Sequence, residues 1–272
     1  MPDFKTLSTR KEGSTLHVWL NRPDARNAWN REMNAEFEAC LDEAENDDGV
    51  SVLTLRGKGP VFSAGHDLKE LAADIVGGLI PKRPAPFGMH RAWYFSKPVV
   101  AGVHGYVGPF AWYLLANLDF IIAVEGTRFS FEDARRGTGS PGGSPLVMHF
   151  PPNVWKKLQM VGGWMTAEQA FDLHFVSRVV RDGDSLDAEV ERWAAEIEKM
   201  PIKGLQAAKI GIHRQYELMG LAAMQLVQSV DPLDLNIYGP AALEWAKLVE
   251  REGLKVGLRD RDVEFDPEQS RI

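Results

Sequence analysis

Two glycine-containing turns in the sequence have the composition of an anion-binding site. The segments RGKGPVFSAGHDLKE (56–70) and VHGYVGPFAWY (103–113) each read as a strand, a glycine turn and the start of a helix. The first turn of a helix has N–H groups without intrahelical acceptors, and the helix dipole adds positive charge there. Two such turns facing each other would form an oxyanion hole from the N–H groups of His66 and Phe110. The alternative is that both turns only connect a strand to a helix.

The residues around these two donors fit helix starts. Pro109 falls at a first helical position, where no N–H is required, so it does not interfere with the Phe110 donor. Asp67 is expected to cap the helix that follows His66. The imidazole of His66 either faces a substrate pocket without acting or takes part in catalysis, and the sequence leaves both possibilities open.

The elements that must position these turns alternate between strand and helix up to about residue 180. Strand patterns occur at 14–22, 50–59, 97–106 and 119–126, and helical patterns at 26–47, 63–75 and 108–118. This alternation predicts an α/β architecture. Leu16, Val18 and Leu20 alternate with His17 and Trp19, which predicts a half-buried strand. The segment 77–88, with three prolines, is the best candidate for a mobile loop near a ligand.

The C-terminal part has helical patterns only, from about residue 184 onwards. It is apolar and carries Trp245, so it must cover either its own core or a neighbouring subunit. Thr166 and Gln169 have the spacing of a capping box, which predicts a helix start just before this region.

Composition excludes several classes of protein. The chain has 272 residues and a net charge of −7, which argues against a general nucleic-acid-binding protein. Cys40 is the single cysteine, so neither an intramolecular disulfide nor a cysteine zinc cluster can form. The N-terminal residues lack a signal-peptide pattern, and no apolar run reaches the ~18 residues of a membrane span. We therefore expect a cytoplasmic protein without a membrane partner.

Five segments resemble the crotonase, or enoyl-CoA hydratase/isomerase, superfamily in order along the chain. They are LNRPDARNAWN (20–30), GPVFSAGHDLKEL (59–71), SKPVVAGVHGYVGPFAWYLLANLDFIIAVEGTRFSFEDARRG (96–137), GGWMTAEQAFDLHFVSRVV (162–180) and REGLKVGLRDRDVEF (251–265). The resemblance implies an α/β fold, a crotonase-type spiral of ββα units followed by a C-terminal helical region. It implies a spiral core at 1–200 with the CoA and active site, and a helical oligomerisation region at 201–272. It also implies homotrimers, often paired into hexamers.

The resemblance further implies an acyl-CoA thioester as substrate, with its oxygen bound by the N–H groups of His66 and Phe110. CoA is then part of the substrate, and neither a separate cofactor nor a metal is expected. The residues implied in CoA binding are Asp24, Ala25, Arg26, Ala28, Ala64, Gly65, Asp67 and Leu68.

The sequence departs from the family pattern at the acid–base positions. Hydratases of the family use two glutamates, and these positions are Tyr113 and Asp133 here. A shift of one residue would instead bring Glu132 into the site. A phenol with a pKa near ~10 is a poor base at neutral pH but can donate a proton, whereas Asp133 can still accept one. Tyr113, Asp133 and Glu132 are the candidate catalytic residues.

Three interpretations follow from these residues. The first is an enoyl-CoA hydratase/isomerase-type enzyme with atypical catalytic residues. The second is a crotonase-fold decarboxylase or C–C bond hydrolase, because some decarboxylases of the superfamily resemble this chain in the sequence Gly-His-Asp of the first turn. The third is a catalytically silent binding protein, which the retained carboxylate of Asp133 disfavours.

Overall fold

The computed structural model describes residues 3–78, 88–137, 145–221, 223, 239–266 and 268–272. The strands are β1 (Leu7–Glu12), β2 (Thr15–Leu20), β3 (Val52–Gly57), β4 (Val99–Val103), β5 (Tyr106–Val107), β6 (Phe120–Val124), β7 (Arg128–Phe131), β8 (Gly163–Thr166) and β9 (Arg178–Val180). Most of the segment predicted as a mobile loop, 77–88, lies outside the described residues.

The strands form two sheets. The larger has six strands in the order β1-β2-β3-β4-β6-β9, and its neighbours are parallel except for the β1–β2 hairpin. The smaller has three strands in the order β5-β7-β8. Strand β5 follows β4 after two residues, so the chain passes directly from one sheet to the other next to the second glycine turn.

Helices connect and cover these strands. They are α1 (Arg31–Asn46), α2 (Leu68–Val76), α3 (Gly88–Trp93), α4 (Pro109–Leu115), α5 (Leu146–His149), α6 (Pro152–Met160), α7 (Ala167–Asp172), α8 (Gly183–Glu198), α9 (Ile202–Leu218), α10 (Pro240–Glu252) and α11 (Leu254–Asp262). Two 3₁₀ turns, Pro23–Ala25 and Asp133–Arg136, carry candidate site residues. The proposed boundary near residue 200 falls between α8 and α9.

The inner strands β2, β3 and β4 of the large sheet are buried on both faces over most of their length, which corrects the prediction for β2. His17 was expected on a solvated face, but its side chain is buried, and its Nδ1 lies 2.9 Å from Thr54 Oγ1. Helix α8 covers this face through Leu186 and Val190, which pack against sheet residues such as Val100. Alternation alone could not predict this, because the covering helix lies more than a hundred residues along the chain.

The C-terminal helices return onto the same chain. Trp245, Ala246 and Val249 of α10 pack against Ala72 and Ile75 of α2. The chain end also joins the small sheet, since the N–H of Ile272 donates to the Trp164 carbonyl at 3.0 Å. The tail therefore covers part of its own core. Among the described residues, no helix has the length and apolar character needed to cross a membrane.

Candidate active site

The two glycine turns are in direct contact. Gly65 has a φ of +88°, and a methyl group on its Cα would lie 3.2 Å from the Pro109 nitrogen and 3.3 Å from the Phe110 nitrogen. A methyl group on Gly108 would clash with the Ala64 carbonyl oxygen. Only glycine at both positions allows the two turns to approach this closely, so the chain places His66 and Phe110 side by side.

Each turn leads into a helix as the sequence predicts. The Asp67 carboxylate caps α2, where it accepts from the N–H groups of Lys69 and Glu70 at 3.3 and 3.4 Å. Arg22 donates to the same carboxylate at 3.1 Å. In the second turn, Pro109 is the first residue of α4, so the Phe110 N–H belongs to its first turn. Asp67 therefore contributes to the site by fixing the helix that follows His66.

Aromatic side chains pack against one another at the two turns. The Phe110 ring is buried, and its centroid lies 4.5 Å from that of His66 and 5.2 Å from that of Trp29. Burial lowers the pKa of His66 to about 4, although the nearby Asp133 carboxylate opposes this change. The imidazole is therefore neutral at pH 7 and adds no full charge beside the turns.

The structure brings Tyr113 and Asp133 together near His66. Burial, followed by the charge of Asp133, raises the pKa of Tyr113 well above its ordinary value, so the phenol keeps its proton. Gln159 Nε2 donates to Tyr113 Oη at 3.2 Å. The Asp133 carboxylate is buried and forms an ion pair with the neighbouring Arg136. A protonated phenol and a buried carboxylate thus stand near the histidine of the first turn.

Glu132 belongs to a different cluster. Its carboxylate accepts from the Ser130 hydroxyl and, at 3.4 Å, from the Tyr106 hydroxyl, and it lies 3.7 Å from the Arg128 guanidinium. Burial, followed by the charge of Glu132, raises the pKa of Tyr106. Because these partners hold Glu132, the structure does not place it with Tyr113 and His66, as a shift of one residue would require.

The loop predicted to bind CoA is fastened to the first glycine turn. The Ala64 N–H donates to the Arg26 carbonyl at 2.8 Å, and the Trp29 N–H donates to the Gly65 carbonyl at 2.7 Å. The buried side chain of Asn27 bonds the Lys58 carbonyl at 2.8 Å. Within the loop Asp24 and Arg26 are exposed and Ala25 and Ala28 are half-buried, as are Ala64 and Leu68 beside it. Hydrogen bonds therefore join the exposed loop directly to the first glycine turn.

Comparison with known proteins identifies the family. Residues 10–230 match the family described as enoyl-CoA hydratase/isomerase, which is most of the chain. The chain belongs to the enoyl-CoA hydratase/isomerase family. This confirms the crotonase superfamily that the sequence motifs indicated, and with it the crotonase fold.

Members of the enoyl-CoA hydratase/isomerase family with different reactions are similar to this chain. The 2,3-dehydroadipyl-CoA hydratase of Escherichia coli (strain K12) is 29% identical over 215 residues, which cover 78% of this chain and 83% of that protein. The 1,2-epoxyphenylacetyl-CoA isomerase of the same organism is 28% identical over 215 residues, covering 74% and 79%. The crystal structure of an enoyl-CoA hydratase/isomerase from Xanthobacter autotrophicus Py2 has a TM-score of 0.86 and 28% identity, covering 97% of this chain and 100% of that one.

Three site contacts of this enoyl-CoA hydratase/isomerase family member were not predicted. Asn27 lies in the segment LNRPDARNAWN, which resembles the family, so its position was a usable signal. Arg136 follows Asp133 by three residues, a spacing at which side chains meet on a helical turn. Gln159 is 46 residues from Tyr113, and no local pattern indicates that pairing.

Proposed function

We propose that this protein is an enzyme that acts on an acyl-CoA thioester and stabilises an enolate of its acyl group. The observation that carries the proposal is the close approach of Gly65, the neighbour of His66, to the first turn of α4, where a methyl group on Gly65 would lie 3.3 Å from the Phe110 nitrogen. Donors that are fixed before the reaction stabilise developing negative charge without reorganisation, and one such donor contributes about 10²–10³-fold in turnover. The thioester oxygen would lie between the His66 and Phe110 N–H groups.

The CoA moiety would extend from these donors towards the surface. Its pantetheine arm would pass Ala64, and its adenine end would lie against the loop of Asp24 and Arg26. The hydrogen bonds between this loop and the first glycine turn support the path, because they hold the two binding regions in one rigid unit. Such rigidity limits the conformational entropy that binding would cost.

Asp133 would remove a proton from the substrate, and Tyr113 would donate a proton to it. A buried carboxylate can take a proton from the carbon next to the thioester carbonyl, since the oxyanion hole stabilises the resulting enolate. The burial that raises the pKa of Tyr113 keeps its phenol protonated, so it can act as a hydrogen-bond or proton donor. One carboxylate and one phenol favour proton transfer, as in isomerisation, over the two-carboxylate addition of water.

Decarboxylation or C–C bond cleavage is a second candidate, and the state of Tyr113 favours it. Loss of CO2 from the acyl group leaves its electron pair as an enolate, which needs an oxyanion hole and a proton donor but no base. The protonated phenol of Tyr113 can supply that proton and recover it from solvent. Decarboxylation therefore does not need the Asp133 carboxylate, whereas isomerisation needs it to take a proton from carbon and C–C hydrolysis would need it to take a proton from the attacking water.

A panel of enoyl-, malonyl- and β-keto-acyl-CoAs, incubated in D2O and followed by mass spectrometry, tests the proposal. Gain of water, exchange of deuterium, loss of CO2 or cleavage would each identify a reaction. Asp133→Asn should abolish deuterium exchange or isomerisation but leave decarboxylation largely intact. Absence of any conversion across the panel would contradict an enzymatic function and favour a binding protein.

A further inference from the structure

The turn that carries Asp133 lies against the C-terminal helices. Arg136, the ion-pair partner of Asp133, is buried and places its guanidinium 5.5 Å from the ring centroid of Trp245 in α10. Gly137 ends the turn with a φ of +67°, and a methyl group there would lie 2.8 Å from Ala241 Cβ. The turn is therefore packed directly on the beginning of α10.

Arg135 fixes the same turn from another side. Its guanidinium lies 3.4 Å from the Asp262 carboxylate, donates to the Ser270 hydroxyl at 2.8 Å and stands 4.1 Å from the ring centroid of Phe265. These partners belong to the end of α11 and the residues after it. The side chains of Arg135 and Arg136 are 7% and 4% exposed, but Arg136 pairs with the carboxylate of Asp133, whereas Arg135 pairs with that of Asp262.

Helix α10 also contacts the other half of the site. Trp245 packs in the cluster that contains Ala72 and Ile75 of α2, and α2 begins immediately after His66 and its capping residue Asp67. Trp245 Nε1 donates to the Gly257 carbonyl at 2.9 Å, which ties α10 to α11. One tryptophan thus links the helix of the oxyanion turn with the arginine that holds the carboxylate.

We propose that Arg136 and Trp245 are positioning residues that orient the Asp133 carboxylate towards the reacting carbon. The inference rests on the proposed function, in which Asp133 moves the proton. The planar guanidinium holds a carboxylate in a defined direction, and the indole face restricts the guanidinium in turn. The C-terminal helices then set the direction of the base relative to the oxyanion hole, in addition to covering the core.

Steady-state kinetics with the acyl-CoA that the panel identifies test this inference. Arg136→Gln removes the guanidinium that holds the Asp133 carboxylate in one direction. The variant should therefore have a kcat lower by about ten- to hundredfold, with KM changed less than about threefold. Arg136→Lys should recover part of the loss, and Trp245→Leu should lower kcat in the same direction. Arg135→Gln is the matched control, because it removes an arginine of the same turn that has a similarly covered side chain but pairs with Asp262. It should lower the thermal midpoint but leave kcat within about threefold.

The outcomes separate this inference from the proposed function. Wild-type kcat in a folded Arg136→Gln variant, while Asp133→Asn is inactive, would overturn the inference and leave the proposed function intact. Equal losses of kcat and thermal stability in Arg136→Gln and Arg135→Gln would also overturn it, because the role would be structural. Full activity in Asp133→Asn would remove the proposed base, and the inference with it.

Discussion

Gly65 and Phe110 belong to turns 45 positions apart in sequence, yet a methyl group on Gly65 would lie only 3.3 Å from the Phe110 nitrogen. This approach is possible because Gly65 combines a left-handed backbone, with a φ of +88°, with the absence of a side chain. The residue before His66 thereby lies against the first turn of α4, which supports the proposal that the N–H groups of His66 and Phe110 bind one oxygen.

Gly65→Ala should separate the two turns and abolish turnover. The new methyl group would press on the Phe110 turn, and the left-handed backbone adds about 1–2 kcal/mol of strain. Gly126→Ala is the matched control, because Gly126 has a φ of +70° and nothing within 4 Å of its added methyl group. In urea unfolding, Gly126→Ala should lose only the free energy that alanine costs in a left-handed backbone, and it should keep its activity. Equal activity of the two variants would contradict the importance of the contact.

The stability of the protein should decrease as the pH falls below the ordinary pKa of histidine. Burial lowers the pKa of His66 to about 4, so the unfolded state binds its proton more tightly and stability is lost as the pH falls from about 6.5 towards 4. His66→Gln keeps the backbone N–H and should reduce the loss between pH 7 and pH 5 by about 1–2 kcal/mol. Urea unfolding of both proteins at the two pH values measures this.

Part of that pH dependence should persist in the His66 variant. Burial is also the largest cause of the lowered pKa values of His17, His149 and His213. His17→Gln therefore serves as a comparison that lies outside the site. An identical pH dependence in wild type and His66→Gln would show that the imidazole is not desolvated as the structure indicates.

Asp133→Asn should lower turnover strongly, whereas Glu132→Gln should lower thermal stability with little effect on turnover. If Asp133 is the base, its replacement by the amide should lower proton transfer by about 10²–10⁴-fold. It should also lower the thermal midpoint, because it leaves the buried Arg136 without its ion-pair partner. Glu132→Gln instead weakens the hydrogen bonds with Ser130 and Tyr106, so it should lower the thermal midpoint and leave turnover within about tenfold. Activity assays and thermal scans of both variants measure this. A large loss of turnover in Glu132→Gln but not in Asp133→Asn would show that Glu132 is the catalytic carboxylate.

We expect the protein to assemble as a trimer or a multiple of three. The superfamily resemblance implies trimers, and several apolar side chains are exposed on a single chain near the end of α9. Leu218 is 89% exposed and Met219 is 67% exposed. Such side chains commonly mark a surface that a partner covers. Light scattering at micromolar concentration measures the mass, and a stable monomer would contradict this expectation.

Much of the local structure could be predicted from the sequence because it depends on neighbouring residues. The helix around Cys40, the Asp67 cap and the capping box of Thr166 and Gln169 are all present. Each depends on side chains within one or two turns of helix. The chain order of strands and helices follows from the same short-range periodicities.

Long-range packing decides what the sequence left open. One of the contacts of Glu132 is with Tyr106 of β5, 26 residues earlier in the chain. The contact of Arg136 with Trp245 joins residues more than a hundred positions apart, and neither residue signals the other in a local pattern. The sequence could therefore identify Glu132 and Asp133 as candidates, but local patterns could not show which of the two lies near His66.

Phe110→Pro and Phe110→Leu separate the backbone N–H of Phe110 from its side chain. Proline removes the backbone donor, whereas leucine keeps the donor and removes the ring that packs on His66 and Trp29. Both folded variants are assayed with the acyl-CoA that wild type converts. We expect Phe110→Pro to lower turnover by about 10²–10³-fold and Phe110→Leu to keep most of it. Unchanged turnover in folded Phe110→Pro would contradict the oxyanion hole on which the proposed function rests.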